Sequence, residues 1–180
     1  MLKVVISIAL GIFSTMGHVG HAQEQSDDGL IVSGHNKTAI LATERLKKSW
    51  YDGAYHFSPA VRAGDYLFLS GVAVSIRGEE TPIDRETFKK HLRLGFTRLQ
   101  TVLTAAGTNM NSIVKITSFH VFDSPLLDVE KRDQILAMAE VKGEFMEEPH
   151  AAWTAVGTTA LLPDAGVVEI DIVAYAPLAK

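Results

Sequence analysis

Glu169 and Asp171 stand two residues apart in an otherwise apolar run, from Val167 to Tyr175. On a β-strand that spacing puts both carboxylates on one face. A carboxylate in a partly dry cleft has its pKa raised from about 4.3 toward the range useful for general acid–base work. A solvated strand face is the plainer reading, and spacing alone does not separate the two.

Other chemistries fare worse. Of the seven histidines, His18 and His21 fall in the first 22 residues. The remaining five (His35, His56, His91, His120, His150) show neither an i,i+4 pair nor an H-E-x-x-H motif, so surface or core roles are expected and no metal or cofactor is. With no cysteine, disulfides, thiolate catalysis and Cys-ligated zinc are excluded. No G-x-S-x-G turn or phosphate-cradling glycine loop occurs. Ser70-Gly71 lies instead inside a strand pattern, where glycine marks a bulge or a close backbone approach.

The 180 residues make one domain, 47% hydrophobic and 21% charged, with material for a real core. A formal net charge of −4 without any basic run argues against nucleic-acid binding. Residues 1–22 read as a secretory signal. Lys3 is the positive n-region, Val4 to Phe13 the apolar stretch, and Gly20-His21-Ala22 the small-residue cleavage site. The stretch is too short for a membrane anchor, which needs roughly 20 apolar residues. Cleavage after Ala22 and a bacterial periplasmic location are expected, with no membrane association afterwards. Residues 23–50 read as a polar lead-in arm and the start of the domain, Gln23 to Lys37 being the flexible part, and 51–180 as the domain.

Tyr66 to Val74 reads as a strand, entered through the turn Ala63-Gly64-Asp65. Asp84 is a plausible N-cap for an amphipathic helix with Phe88, Leu92, Phe96, Leu99, Leu103 and Ala106 on one stripe, closed by Gly107. Ile113 to Phe122 is a second strand. Asp128 to Phe145 is a second helix, with Val129, Ile135, Met138 and Phe145 as its stripe. Trp153 to Leu162 and Val167 to Ala176 are two more strands. Val168, Ile170, Ile172 and Ala174 form an apolar face fit to lie under two helices. The opposite face mixes Glu169 and Asp171 with Val167, Val173 and Tyr175. Two helices cover one side of a sheet, so another subunit is expected over the other.

The segment Ser58-Pro-Ala-Val-Arg-Ala-Gly-Asp-Tyr-Leu-Phe-Leu-Ser-Gly71 resembles the opening motif of the Rid (YjgF) family, the reactive-intermediate or enamine/imine deaminases. Ala105-Ala-Gly107 with Asn111-Ser-Ile-Val-Lys-Ile-Thr117 is similar to that family's helix end and next strand. Leu162-Pro163 with Val168-Glu-Ile-Asp-Ile-Val-Ala174 is similar to its C-terminal signature. The resemblance runs from about Ser58 to Ala176. It implies an α+β, chorismate-mutase-like fold: a mixed sheet with two helices on one face, in a barrel-like homotrimer with ligand clefts between subunits.

The resemblance also implies a site. Active members use an arginine early in the penultimate strand to hold the substrate carboxylate. A glutamate in the last strand handles water and protons as a 2-imino acid is hydrolysed to a 2-keto acid and ammonia. By counting, the glutamate is Glu169 and the arginine position holds Thr154. The loop tyrosine falls at Ala60 and a cysteine position at Val156. Substrate-binding positions are then Ser58, Ala60, Arg62, Ser70, Gly71, Trp153 and Thr154. Arg62 is either a substitute for the arginine or an exposed loop cation. Trp153 is either a flat pocket wall or a core residue. The expected function is binding of a small metabolite at subunit interfaces with imine or enamine hydrolysis. The alternative is a non-catalytic metabolite-binding or interaction module on the same scaffold. RNA cleavage suits an acidic exported protein poorly.

Overall fold

A computed structural model describes residues 30–178; the export signal read at residues 1–22 lies outside them. Seven strands form one mixed sheet: β1 (Ile31–Gly34), β2 (Lys37–Ile40), β3 (Ala60–Ala63), β4 (Tyr66–Ser75), β5 (Ile113–His120), β6 (Ala152–Gly157) and β7 (Gly166–Tyr175). Their order across the sheet is β1-β2-β3-β4-β7-β5-β6. All neighbours are antiparallel except β5 and β6. The helices are α1 (Glu44–Leu46), which continues as a wider turn through Tyr51, α2 (Arg85–Ala105) and α3 (Lys131–Phe145). That is one short helix more than the two expected.

The polar lead-in arm is the larger correction. Its residues 31–37 enter the sheet, β1 and β2 closing on His35 and Asn36, both at positive φ (51° and 59°). Two consecutive positive φ values suit a tight two-residue hairpin, and asparagine tolerates them better than most residues. The strands are four residues each, and mixed polarity hides so short an alternation. Likewise β3, a partner for both β2 and β4, sits in what read as a turn approach.

α2 follows its sequence closely. The Asp84 carboxylate accepts from the Thr87 N–H at 2.8 Å. Gly107, at φ 78°, ends the helix while Thr108 N–H reaches back to the Leu103 carbonyl. Phe88, Leu92, Phe96, Leu99 and Leu103 are all fully buried against the sheet. Gly95 lets the helix lie close, since a Cβ there would stand 2.8 Å from a Val74 methyl. α3 begins later than expected, and its buried stripe is Gln134, Ala137, Met138 and Val141. A polar residue and an alanine occupy that stripe, which is why it does not show as hydrophobic period. Gln134 Nε2 donates to the carbonyls of Phe122 and Val129.

On the same covered side, β5 buries a polar cluster. Trp153 Nε1–H donates to Ser118 Oγ at 2.9 Å, and Ser118 Oγ lies 2.8 Å from Nε2 of the fully buried His120. His120 stacks on Phe122, and its Nδ1 has no partner. Burial pushes the imidazole down to about 4. The unfolded chain therefore binds a proton below about pH 6.5 that the folded one refuses. Stability is expected to fall between pH 6.5 and 4, by up to about 3 kcal/mol from this group. Urea unfolding of wild type against His120→Leu across that window checks it, and an equal slope in both would exclude His120 as the cause.

Candidate functional site

The face of the sheet away from the helices, uncovered among the described residues, carries the candidate carboxylates. Along β7, Val168, Ile170, Ile172 and Ala174 are buried, while Glu169, Asp171 and Val173 are partly open on the other side. Register extends that face sideways. Thr117 on β5 stands opposite Asp171 and, on its other flank, opposite Thr154 of β6. Phe119 stands between Glu169 and Val156, and Lys115 stands opposite Val173. Glu169, Asp171, Thr117, Lys115 and Thr154 thus share one surface.

A bulge in β4 makes room for the glutamate. Leu69 pairs with Ile172 and Val72 with Ile170, so Ser70 and Gly71 together oppose Asp171. Ser70 Oγ ties the bulge to the Ser58 carbonyl at 2.7 Å, and Ser70 N–H donates to the Pro59 carbonyl. The Glu169 side chain lies over Gly71. A Cβ at position 71 would stand 2.1 Å from Oε1 and 2.7 Å from Cδ. Burial raises Glu169 above its ordinary value, and the nearby Asp171 charge adds to this. Burial raises Asp171 too, while Lys115 pulls it back down. No hydrogen bond or ion pair among the described residues engages either carboxyl, so both remain open to water. A raised, accessible carboxylate is the form a general base takes.

The sequence-derived positions separate into two groups. Glu169, Gly71, Ser70, Ser58 and Thr154 gather on or beside the open face. Ala60 does not: it is fully buried in the core on the helix side, across from Leu69. Trp153 takes its core alternative, packed against the core with Lys142 over its ring at 5.0 Å. Arg62 is neither clamp nor free loop cation. It lies on β3, and its guanidinium donates to the carbonyls of Ala176 and, at 3.1 Å, Ala106. It ties the chain after β7 to the C-terminal end of α2, where a cation suits the exposed carbonyls. Arg62→Met is expected to cost about 1–3 kcal/mol in urea unfolding and to leave the chemistry of the open face untouched. Loss of activity without loss of stability would return Arg62 to the site.

Lys115 on β5 joins this face although no motif in the sequence marks it. Its signal was the alternation Lys115, Thr117, Phe119 on a strand paired to Glu169's own. Its ammonium donates to Thr154 Oγ1. Among the described residues no cluster of three His, Asp or Glu side chains is placed to hold a metal ion.

Comparisons with known proteins place this arrangement. A family model described as "Endoribonuclease L-PSP" matches residues 49–176. The RutC family protein YjgH of Escherichia coli (strain K12) is 37% identical over 125 residues, covering 68% of this chain and 85% of that protein. A solved structure titled protein YJGH superposes with a TM-score of 0.56 at 33% identity, over 73% of this chain and 91% of the other. RidA from the Antarctic bacterium Psychrobacter sp. PAMC 21119 does so with a TM-score of 0.53 at 25% identity, over 68% and 90%.

Proposed function

The chain belongs to the endoribonuclease L-PSP family, the YjgF/RutC/Rid family, and from that premise we propose that it is a homotrimer hydrolysing small imines or enamines in clefts between its subunits. The observation that carries the reading is the Glu169 carboxylate, raised by burial and laid over the Gly71 bulge on a face that none of the described residues covers. Glu169 takes a proton from water as its oxygen adds to the C=N carbon. The same proton goes to the nitrogen, giving a carbinolamine; Glu169 then carries the carbinolamine's hydroxyl proton to that nitrogen as the C–N bond breaks, so that ammonia leaves and a C=O product remains. No cofactor enters this scheme.

Surface chemistry supports a covering subunit, and the trimer is proposed on that ground. Phe68 and Tyr175, 49% and 46% exposed, flank the carboxylates on the open face. Apolar groups so arranged favour a covering subunit. Export with cleavage after Ala22, leaving Gln23 first in the periplasmic protein, belongs to the same proposal. Two carboxylates against one lysine leave this face without the excess positive charge that favours a phosphate backbone, so the proposal does not take RNA as the substrate. Thr154 at the arginine position favours a second reading, a non-catalytic binding module. Ammonia release from 2-iminobutanoate formed in situ separates the two: catalysed release is expected, and none above the uncatalysed rate would leave the binding module. Light scattering should give three times the monomer mass, and a monomer at micromolar concentration would remove the clefts.

A further inference from the structure

Asp171 shares the strand and the face of Glu169 and takes no part in the hydrolytic scheme. The two residues stand about 7 Å apart along β7, both partly buried. Their surroundings differ. Glu169 lies over the β4 bulge, where Ser70, Gly71 and Ala73 bring no charge. Asp171 stands opposite Thr117 of β5, one diagonal step from Lys115, which pairs with Val173. Lys115 is a further step from Glu169, and its ammonium turns to Thr154 on β6, away from β4. The other positions facing the pair from β5 and β6, Phe119 and Val156, are uncharged. α2 brings one more charge, Arg98, which donates to the Ala73 carbonyl at 3.2 Å. A cation thus stands nearer to Asp171 than to Glu169 on the sheet face. Burial raises both carboxyls; beyond that, Lys115 draws Asp171 back down, and the Asp171 charge pushes Glu169 further up. Like charges so placed do not ionise independently.

We propose that Asp171 is a positioning residue for the reaction: kept ionised by Lys115, it keeps Glu169 basic, so that the pair divides into a fixed charge and a working base. The inference rests on the reading of Glu169 as the general base. Two carboxylates whose surroundings push them apart take different roles, and the difference here comes from which flank of β7 carries the cation. Asp171 acts through Glu169 and touches no reacting atom in this scheme.

Two readouts test this on the full-length mature protein. In ammonia release from 2-iminobutanoate, the acid limb of kcat/KM should move to lower pH in Asp171→Asn. The expected move is about 0.5–1.5 pH units, the effect of one charge removed from about 7 Å away. The plateau rate should fall by less than about tenfold, the mark of a weaker base and not of a lost one. Asp171→Glu keeps the charge and should keep most of the wild-type limb. Carbon-13 NMR of the Glu169 carboxyl, assigned by its loss in Glu169→Gln, should show the same move without needing turnover. Circular dichroism shows that each variant is folded, and Asp171→Ser repeats both measurements if Asp171→Asn is not. A Glu169 midpoint unmoved in a folded Asp171→Asn or Asp171→Ser overturns the proposal. So does a rate loss as large as that of Glu169→Gln, which would make Asp171 a base in its own right. A moved midpoint with no turnover in the wild type would sink the hydrolytic reading and leave the coupling of the two carboxyls standing.

Discussion

Glu169→Gln is expected to lower ammonia release by about 10²- to 10⁴-fold, the range a positioned acid–base group contributes. The amide keeps the size and most of the shape of the side chain over Gly71 but can neither take nor return a proton. Stability should move the other way. Burial raises the folded pKa of Glu169 above its unfolded value, so the folded state holds this proton more tightly than the unfolded one. Stability from this group is greatest below the unfolded value and declines as pH rises through the folded one. The ionised carboxylate therefore costs stability at neutral pH. Glu169→Gln should be at least as stable as wild type at pH 7, with the difference shrinking toward pH 4. Urea unfolding at both values, beside initial rates of ammonia release, gives both halves. A variant that keeps its rate would put the chemistry elsewhere.

Gly71→Ala is expected to remove activity nearly as well while leaving the fold in place. Its new methyl would stand 2.1, 2.7 and 2.8 Å from Oε1, Cδ and Cγ of Glu169, well inside the roughly 3.5–4 Å of ordinary contact. All three atoms belong to one flexible side chain, so the conflict is relieved by turning that chain, at about 0.5–1.5 kcal/mol for an unfavourable rotamer. Folding tolerates that; catalysis does not. A displacement of about 1 Å at a reacting group costs on the order of 10²-fold. The expected result is a loss of that size in kcat with a small change in unfolding midpoint. Because both substitutions act on one carboxylate, the double variant Gly71→Ala with Glu169→Gln should be no slower than Glu169→Gln alone. Wild-type rates in Gly71→Ala would mean that the carboxylate works from another position.

Local signals made much of this protein legible. Asp84 before an i, i+3, i+4 stripe and Gly107 after it specify α2 nearly to the residue, because capping and helical period are both short-range effects. The alternation in Val167 to Tyr175 separates a buried face from a carboxylate-bearing one, because side chains on a strand alternate whatever lies beside it. The motifs in order, from Ser58 to Ala174, identify the family. The glycine inside β4 already signalled a bulge or a close approach, and both are present.

Neighbours in space decided the rest. Two four-residue strands in the polar arm pair with each other and with β3, partners that no local pattern announces. Arg62 looks like a candidate clamp in sequence because its loop motif borders the site. Only packing brings it to the carbonyls of Ala106 and Ala176, each more than forty residues away. Ala60 and Trp153 lie beside site residues in the chain yet point into the core, since adjacent strand positions face opposite sides and register selects which. Lys115 and Thr154 are 39 residues apart, and nothing in either segment names the other. The parallel pairing of β5 with β6 makes them partners, so the place of this cation on the open face was set by strand order, a property of the whole sheet.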